Sequence, residues 1–344
     1  MKATVDLTTN TYINMKRNLL LFVSTLLLCM SALGATVQRT ILSHKGQITQ
    51  YDANHWQEAI SNAVAGDTVY FTSGNFSGAL TIDKPITIIG AGISEDDAFY
   101  KDTSVAAAYE GCATTGGSTT IEGDINIAIP GSVTLTKSLL ENVRLSGYSI
   151  YFSEPVTNPI IKRCQVSMIY TNWWTGGTLS ASAKVTNLTL KDCYIWNVSF
   201  ENFENPDIQN CYFEKIEPTP EETVFTNCTI LDVWNTSNCT FVNCIVHLFN
   251  GSNNTCVNCI YDNMGSGDHT TFVDSWYVDG AAGFTKSQLQ AGNFIGTDGT
   301  VVGPLGGPAP FTFIPSLPYV SYSSLTYIKS TKKLNVNVTV KQGK

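Results

Sequence analysis

Residues 224–264 read VFTNCTILDVWNTSNCTFVNCIVHLFNGSNNTCVNCIYDNM, a run with five cysteines, four of them directly preceded by asparagine. Aligned on cysteine, the unit extends backwards: IIKRCQVSMI at Cys164, LTLKDCYIWNV at Cys193, PDIQNCYFEKI at Cys211, TVFTNCTILDV at Cys228, TFVNCIVHLF at Cys244 and TCVNCIYDNM at Cys259. The successive gaps are 29, 18, 17, 16 and 15 residues, and the longest accommodates an inserted loop, TNWWTGGTLSASA. So short a period marks a solenoid in which each unit is one turn, because no single turn can bury its own apolar face.

Within each unit the cysteine, the residue two later (Val166, Ile195, Phe213, Ile230, Val246, Tyr261) and the residue five later (Ile169, Val198, Ile216, Val233, Phe249, Met264) form apolar columns. Alternation along a strand points these columns into the coil, where rungs stacked roughly 4.8 Å apart share one core. Asn210, Asn227, Asn243 and Asn258 stand one residue before their cysteines. Asparagine tolerates left-handed geometry and bonds its own backbone, so these are bend residues able to stack as an asparagine ladder. Cysteine is then a small, soft core residue. Two other uses compete. Export permits one or two disulfides, since stacked rungs bring Cα atoms within about 4.4–6.8 Å; Cys239 and Cys256 suggest a second stack, and Cys112 stands alone. Zinc would use the pair Cys256 and Cys259 but lacks a second pair at suitable spacing.

Residues 15–34, MKRNLLLFVSTLLLCMSALG, have a basic start, an apolar run and small residues at Ala32 and Gly34. They read as a secretory signal peptide cleaved before Ala35, with Met15 as the expected start. Residues 1–34 contain three basic and one acidic residue, so the net charge of −8 becomes −10 in the mature chain. An acidic surface is a poor binder of nucleic acid and repels polyuronates unless a cation bridges them. No later segment is apolar enough to span a membrane. A secreted or cell-surface monomer is expected, without a membrane span.

DANHWQEAISNAVAG (52–66) reads as one amphipathic helix with Trp56, Ala59, Ile60 and Ala63 on its apolar face, and with Asn54 and Gln57 placed as a capping box. Short β-branched runs punctuated by turns follow, GDTVYFTSGNFSGALTIDKPITIIGAG (66–92). This entry segment resembles that of secreted right-handed parallel β-helix proteins, the pectate-lyase-like superfamily. The resemblance implies an all-β solenoid with a helix closing its N-terminal end. The superfamily hosts lyases, hydrolases, esterases, adhesins and phage spikes, so the likeness carries fold and not mechanism. Its lyases hold calcium on clustered carboxylates and use a catalytic Arg or Lys. Here arginine after the signal is limited to Arg39, Arg144 and Arg163, and no calcium-loop motif occurs. No cofactor is therefore expected, calcium being the one ion the resemblance leaves open.

Boundaries follow: a signal peptide over 1–34, an N-terminal cap with its helix over 35–66, the β-helix over 67–267, and a C-terminal cap with a short β segment over 268–344. In the last segment, GTDGTVVGPLGG and PFTFIPSLPYV are similar to tails of β-helix proteins exported by Bacteroidetes-type bacteria, and residues 319–341 read as a strand pair. Its Gly and Pro residues suggest loops covering the last rung.

Positions three and four after each cysteine should face solvent, which gathers Glu214, Lys215, Asp232, His247 and Asp262 on one strip. Histidine or lysine beside carboxylates is the composition of an acid–base site for sugar chemistry. It is equally the composition of a polar sheet surface with charge pairs across strands. Aromatic residues cluster between 148 and 234, among them Tyr170, Trp173, Trp174 and Trp196. Exposed rings stack on sugar faces, so a glycan platform is expected there. The expected function is an exported scaffold binding a polysaccharide or a cell-surface partner, with a polysaccharide lyase or glycoside hydrolase acting on the β-helix face as the alternative.

Overall fold

A computed structural model describes residues 38–93, 117–131, 133–171, 174–175, 178–179, 183–217, 222–265, 269–312, 319–328 and 333–341. The expected signal peptide, Cys112 and Trp173 lie outside the described residues. The chain divides into two compact units, Gln38–Pro315 and one that contains Ser316–Gly343. In the second, Tyr319–Ile328 pairs antiparallel with Lys333–Lys341, the strand pair expected from the sequence.

The first unit is a parallel β-helix. One sheet stacks ten short parallel strands, from Thr68–Phe71 to Thr271–Val273, and an antiparallel hairpin, Arg39–His44 with Gln47–Asp52, completes its twelve strands. A second sheet carries the strand that follows each cysteine, among them Gln165–Tyr170, Tyr194–Ser199, Tyr212–Glu217, Thr229–Ser237, Ile245–Ser252 and Ile260–Met264. A smaller sheet of four strands runs from Val133–Thr134 to Phe203–Glu204. The coil continues past residue 267, since Thr271–Val273 and Trp276–Tyr277 pair in parallel with the rung before them.

The corner between the two large sheets turns on one residue with positive φ: Asn142 58°, Arg163 49°, Asp192 55°, Asn210 52°, Asn227 52°, Asn243 54°, Asn258 50° and Asp274 48°. Left-handed backbone costs an ordinary residue roughly 1–2 kcal/mol, and asparagine and aspartate tolerate it best. A second left-handed column stands five residues earlier at Asn158, Asn187, Asn205, Glu222, Asn238 and Asn253. Each short strand of these rungs is therefore bracketed by two such corners.

Inside, Cys164, Cys193, Cys211, Cys228, Cys244 and Cys259 are fully buried, as are the columns two and five residues later apart from half-buried Tyr261 and exposed Met264. The eight described cysteines are free thiols, and burial holds Cys164, Cys211, Cys228 and Cys259 protonated. Cys239 and Cys256 do not share a column: Cys256 pairs with Phe241 and Phe272, whereas the Cys239 N–H donates to Asn254 Oδ1 at 3.0 Å. An aromatic spine runs through the core, with ring centroids at 5.8 Å for Phe152–Phe203, 5.5 Å for Phe203–Phe200, 6.2 Å for Phe200–Phe225, 5.0 Å for Phe225–Phe241, 5.4 Å for Phe241–Phe249 and 5.8 Å for Phe249–Phe272. Each such pair adds about 0.5–1.5 kcal/mol beyond its burial.

The helix is shorter than its sequence pattern, spanning Trp56–Asn62, and Asn54 does not cap it. Asp52 Oδ1 instead accepts from the backbone N–H groups of Asn54 and His55, while the Gln57 amide donates to the Ala79 carbonyl. At the other end Lys84 Nζ donates to the carbonyls of Ile60, Ser61 and Ala63, which gives the helix terminus the cation it favours. Trp56 packs edge-on against Phe71 and Phe76, joining the helix to the main core.

The segment after Trp276–Tyr277 was expected as loops over the last rung. It contains a second helix, Lys286–Ala291, with a true capping box between Thr285 and Gln288. Residues 293–312 then run back along the coil. Thr297 N–H donates to Asn243 Oδ1 at 2.8 Å, the Asn227 amide donates to Asp298 at 3.3 Å, and the Asn210 amide donates to the carbonyls of Pro304 and Gly306. Asn210, Asn227 and Asn243 thus bind the returning chain instead of forming a ladder. An amide–amide bond of ladder type occurs in the other column, from Asn187 to Asn158 at 3.0 Å. Gly307 has φ 81°, and a Cβ there would meet Asn227 Nδ2 at 2.4 Å, so the returning chain passes Asn227 where only glycine fits.

Two stability predictions follow from the corners. Asn227→Gly and Asn227→Ala both lose the bond to Asp298, but only alanine, with its Cβ, is strained at φ near 52°. Alanine should therefore be the less stable by about 1 kcal/mol in urea unfolding, the strain less the extra chain entropy of glycine; equal midpoints would refute strain at this corner. Burial pushes the Asp192 carboxyl up from 3.8 to about 6, against the pull of Arg163, Lys191 and Lys162. A raised carboxyl contributes stability fully below its unfolded value and loses it as pH rises through the folded one. Asp192→Asn should accordingly gain stability relative to wild type between pH 3.8 and about 6, read as a pH-dependent gap between their melting temperatures.

Candidate functional site

The outward positions of the second sheet lie on the columns expected from the repeat. In register across neighbouring rungs stand Met168, Asn197, Lys215, Asp232, Leu248 and Asn263. One residue earlier in each strand come Trp196, Glu214, Leu231, His247 and Asp262. A third outward column, absent from the sequence reading, pairs Tyr151 with Tyr170, Ser199 with Glu217 and Trp234 with Asn250.

His247 and Asp262, one rung apart, are hydrogen-bonded, with Nδ1 to Oδ2 at 2.6 Å. The two partners differ sharply in exposure, 47% for the imidazole and 3% for the carboxylate. Asp262 Oδ2 also accepts from the Gly280 N–H at 3.2 Å, so a backbone donor fixes the carboxylate that orients the ring. Lys215 Nζ lies 2.9 Å from Glu217 and 5.2 Å from the centre of the Trp234 ring, an ammonium held between a carboxylate and an indole face. Asn197 Nδ2 donates to the same Glu217 at 3.1 Å. Burial raises the Glu217 carboxyl, but the bonds from Lys215 and Asn197 outweigh it and hold the group below its usual range.

Asp232 goes the other way. Burial raises its carboxyl, and repulsion from Glu217 adds to the rise, against the attraction of Lys215 and His247. Its Oδ1 is buried without a hydrogen-bond partner, as is Asp262 Oδ1. Lys215, Asp232, His247 and Asp262 therefore form one electrostatic group, to which the structure adds Glu217. Glu214 is engaged elsewhere, accepting from the hydroxyls of Tyr194 at 2.8 Å and Tyr212 at 3.2 Å. Those two tyrosines, each directly after its cysteine, are buried in a cluster with Val301, Val302 and Leu305 of the returning chain. The signal for Glu217 was its place two residues after Lys215, on the side where the strand resumes its alternation.

Of the expected glycan-binding residues, Trp196 is 53% exposed. Tyr170 is half-buried and stacks on Tyr151 with centroids at 6.0 Å and planes 14° apart. Trp174 lies in the strand Trp174–Thr175, which pairs antiparallel with Thr178–Leu179. Trp234, Tyr148 and Met168 are further exposed residues of this stretch. Among the described residues no group of three or more His, Cys, Asp or Glu side chains is placed to hold a metal ion, and no helix is long and apolar enough to cross a membrane.

Comparison with protein-family models, curated proteins and solved structures returns no match.

Burial assigns different duties to the two partners of the dyad. Asp262→Ala should cost about 1–3 kcal/mol, because it strands the Gly280 N–H as well as the imidazole. His247→Ala, at a half-exposed position, should cost under about 1 kcal/mol. Thermal melting of the two variants decides the point, and equal losses would show that Asp262 is not the anchored member.

Proposed function

We propose that this chain is an exported β-helix protein of the pectate-lyase-like type, from a Bacteroidetes-type bacterium, that binds an extended glycan along its second sheet. The single observation that carries the reading is the exposure of Trp196 and Trp234 on the face that also presents Asn197, Lys215 and Asp232. Flat rings supply apolar area for sugar faces, and amide, ammonium and carboxylate groups bond sugar hydroxyls. Rungs repeat roughly every 4.8 Å along the coil, a spacing close to one pyranose unit, so a chain laid along the axis meets equivalent positions at successive sugars. The stacked pair Tyr151 and Tyr170 extends the aromatic lane in the N-terminal direction.

The test is retention of the protein, from Ala35 onward, on immobilised plant, algal and host polysaccharides. Trp196→Ala and Trp234→Ala are each expected to weaken retention roughly tenfold, the effect of losing one stacked ring, with melting temperature little changed. Lack of retention on every glycan would end the reading.

A further inference from the structure

We propose that the outer face of the first sheet, over its last four rungs, binds ice. Eight side chains point outward there in register: Val224 and Thr226, Thr240 and Val242, Thr255 and Val257, Thr271 and Val273. Between the members of each pair stands a residue that belongs to the core or packs against it, namely Phe225, Phe241, Cys256 or Phe272. All eight are threonine or valine, which share one shape, and none is charged. Val224 and Val273 are 44% and 41% exposed, Thr271 is exposed as well, and the other five are half-buried, as close-set neighbours in register must be. This face is not the one that carries the glycan-binding reading, and the inference does not depend on that reading.

Strand propensity alone does not explain the pattern. It favours threonine and valine, yet the same two columns carry Lys162, Lys191 and Asp207 in the rungs before. Three features make the last four rungs a regular, rigid surface. β-Branched side chains are stiff at χ1, so hydroxyls and methyls are in place before anything binds and little freedom is lost on binding. Beneath them Phe225 and Phe241 stack with planes 9° apart, a side-chain ladder of the kind that keeps neighbouring strands flat. Asn227 and Asn243, next to Thr226 and Val242, are bonded to the returning chain, which fixes those rungs against one another.

The pattern also selects the ligand. Positions repeat about 4.8 Å from rung to rung and roughly 6.7 Å between alternate residues of one strand. Water molecules on a prism face of hexagonal ice repeat at spacings close to both. Threonine hydroxyls donate and accept, so they can stand in for lattice waters, while the methyl groups fill the gaps between them and release water from apolar surface. Other occupants need groups that these eight positions lack. Protein interfaces are anchored by aromatic residues and arginine, sugar faces by flat rings, and lipid surfaces by basic and aromatic side chains.

The experiment grows ice in a solution of the protein from Ala35 onward. It measures the gap between the melting and freezing points of the ice, the coarsening of fine ice grains, and the share of protein taken up by slowly growing ice. A gap, arrested coarsening and uptake are expected. Thr240→Lys and Thr255→Lys should each lose all of these effects while the protein unfolds at an unchanged temperature, since both side chains point outward. Thr134→Lys, a like change at an exposed position on the smaller sheet, should keep them. Absence of any effect on ice overturns the inference, and so does an effect that Thr240→Lys and Thr255→Lys leave intact. Retention on crystalline cellulose or chitin without an effect on ice, abolished by those two variants, overturns it in favour of a solid glycan. A dimer that the same variants disperse, again without an effect on ice, overturns it in favour of a second copy of the chain.

Discussion

Left-handed backbone at one residue per corner is the constraint on which the coil depends. A rung closes only if the chain turns sharply between its short strand and the strand after the cysteine, and the turn is made at positive φ by Asn, Asp or, once, Arg163. Side chains that bond their own neighbourhood make that geometry affordable. The small residue that follows can then drop straight into the core, and cysteine fills that place in six rungs. Corner and core residue are thus two halves of one requirement, which is why Asn-Cys recurs.

Much of this was legible because a repeat multiplies weak signals. The columns two and five residues after cysteine, the bend role of the asparagines and the contact of His247 with Asp262 all follow from placing equal positions on neighbouring rungs. The second left-handed column was written in Asn158, Asn187, Asn205, Asn238 and Asn253, but Glu222 interrupts it and the cysteine alignment draws attention to the other corner. The helix boundary failed for a local reason, since Asp52 holds the N–H groups of Asn54 and His55 in a turn ahead of the helix and no side chain caps its start. Glu217 escaped although alternation reaches it: the residue five after cysteine points inward, so the sixth faces out, one step past the two outward columns read from the repeat.

The returning chain was not legible at all. It has no period, and its bonds to Asn210 and Asn227 join residues 71 to 96 positions apart. It also reverses the environment of Tyr194 and Tyr212, which alternation alone sends to solvent and which the structure buries against Val302 and Leu305. Glu214 follows them, and its engagement with their hydroxyls leaves the exposed strip to Lys215, Glu217, Asp232 and His247. One aperiodic segment thus decides which part of a periodic face stays open.

That segment also changes how the coil comes apart. A solenoid held only by contacts between adjacent rungs behaves as a one-dimensional chain, and its ends fray one unit at a time. Residues 297–306 are bonded to the corners at Asn243, Asn227 and Asn210, three successive rungs, within a single stretch. Peeling any one of those rungs disturbs the strap that holds the other two. The C-terminal half of the coil is therefore welded into one cooperative block, while the rungs before residue 210 keep the looser, stepwise character of an ordinary repeat.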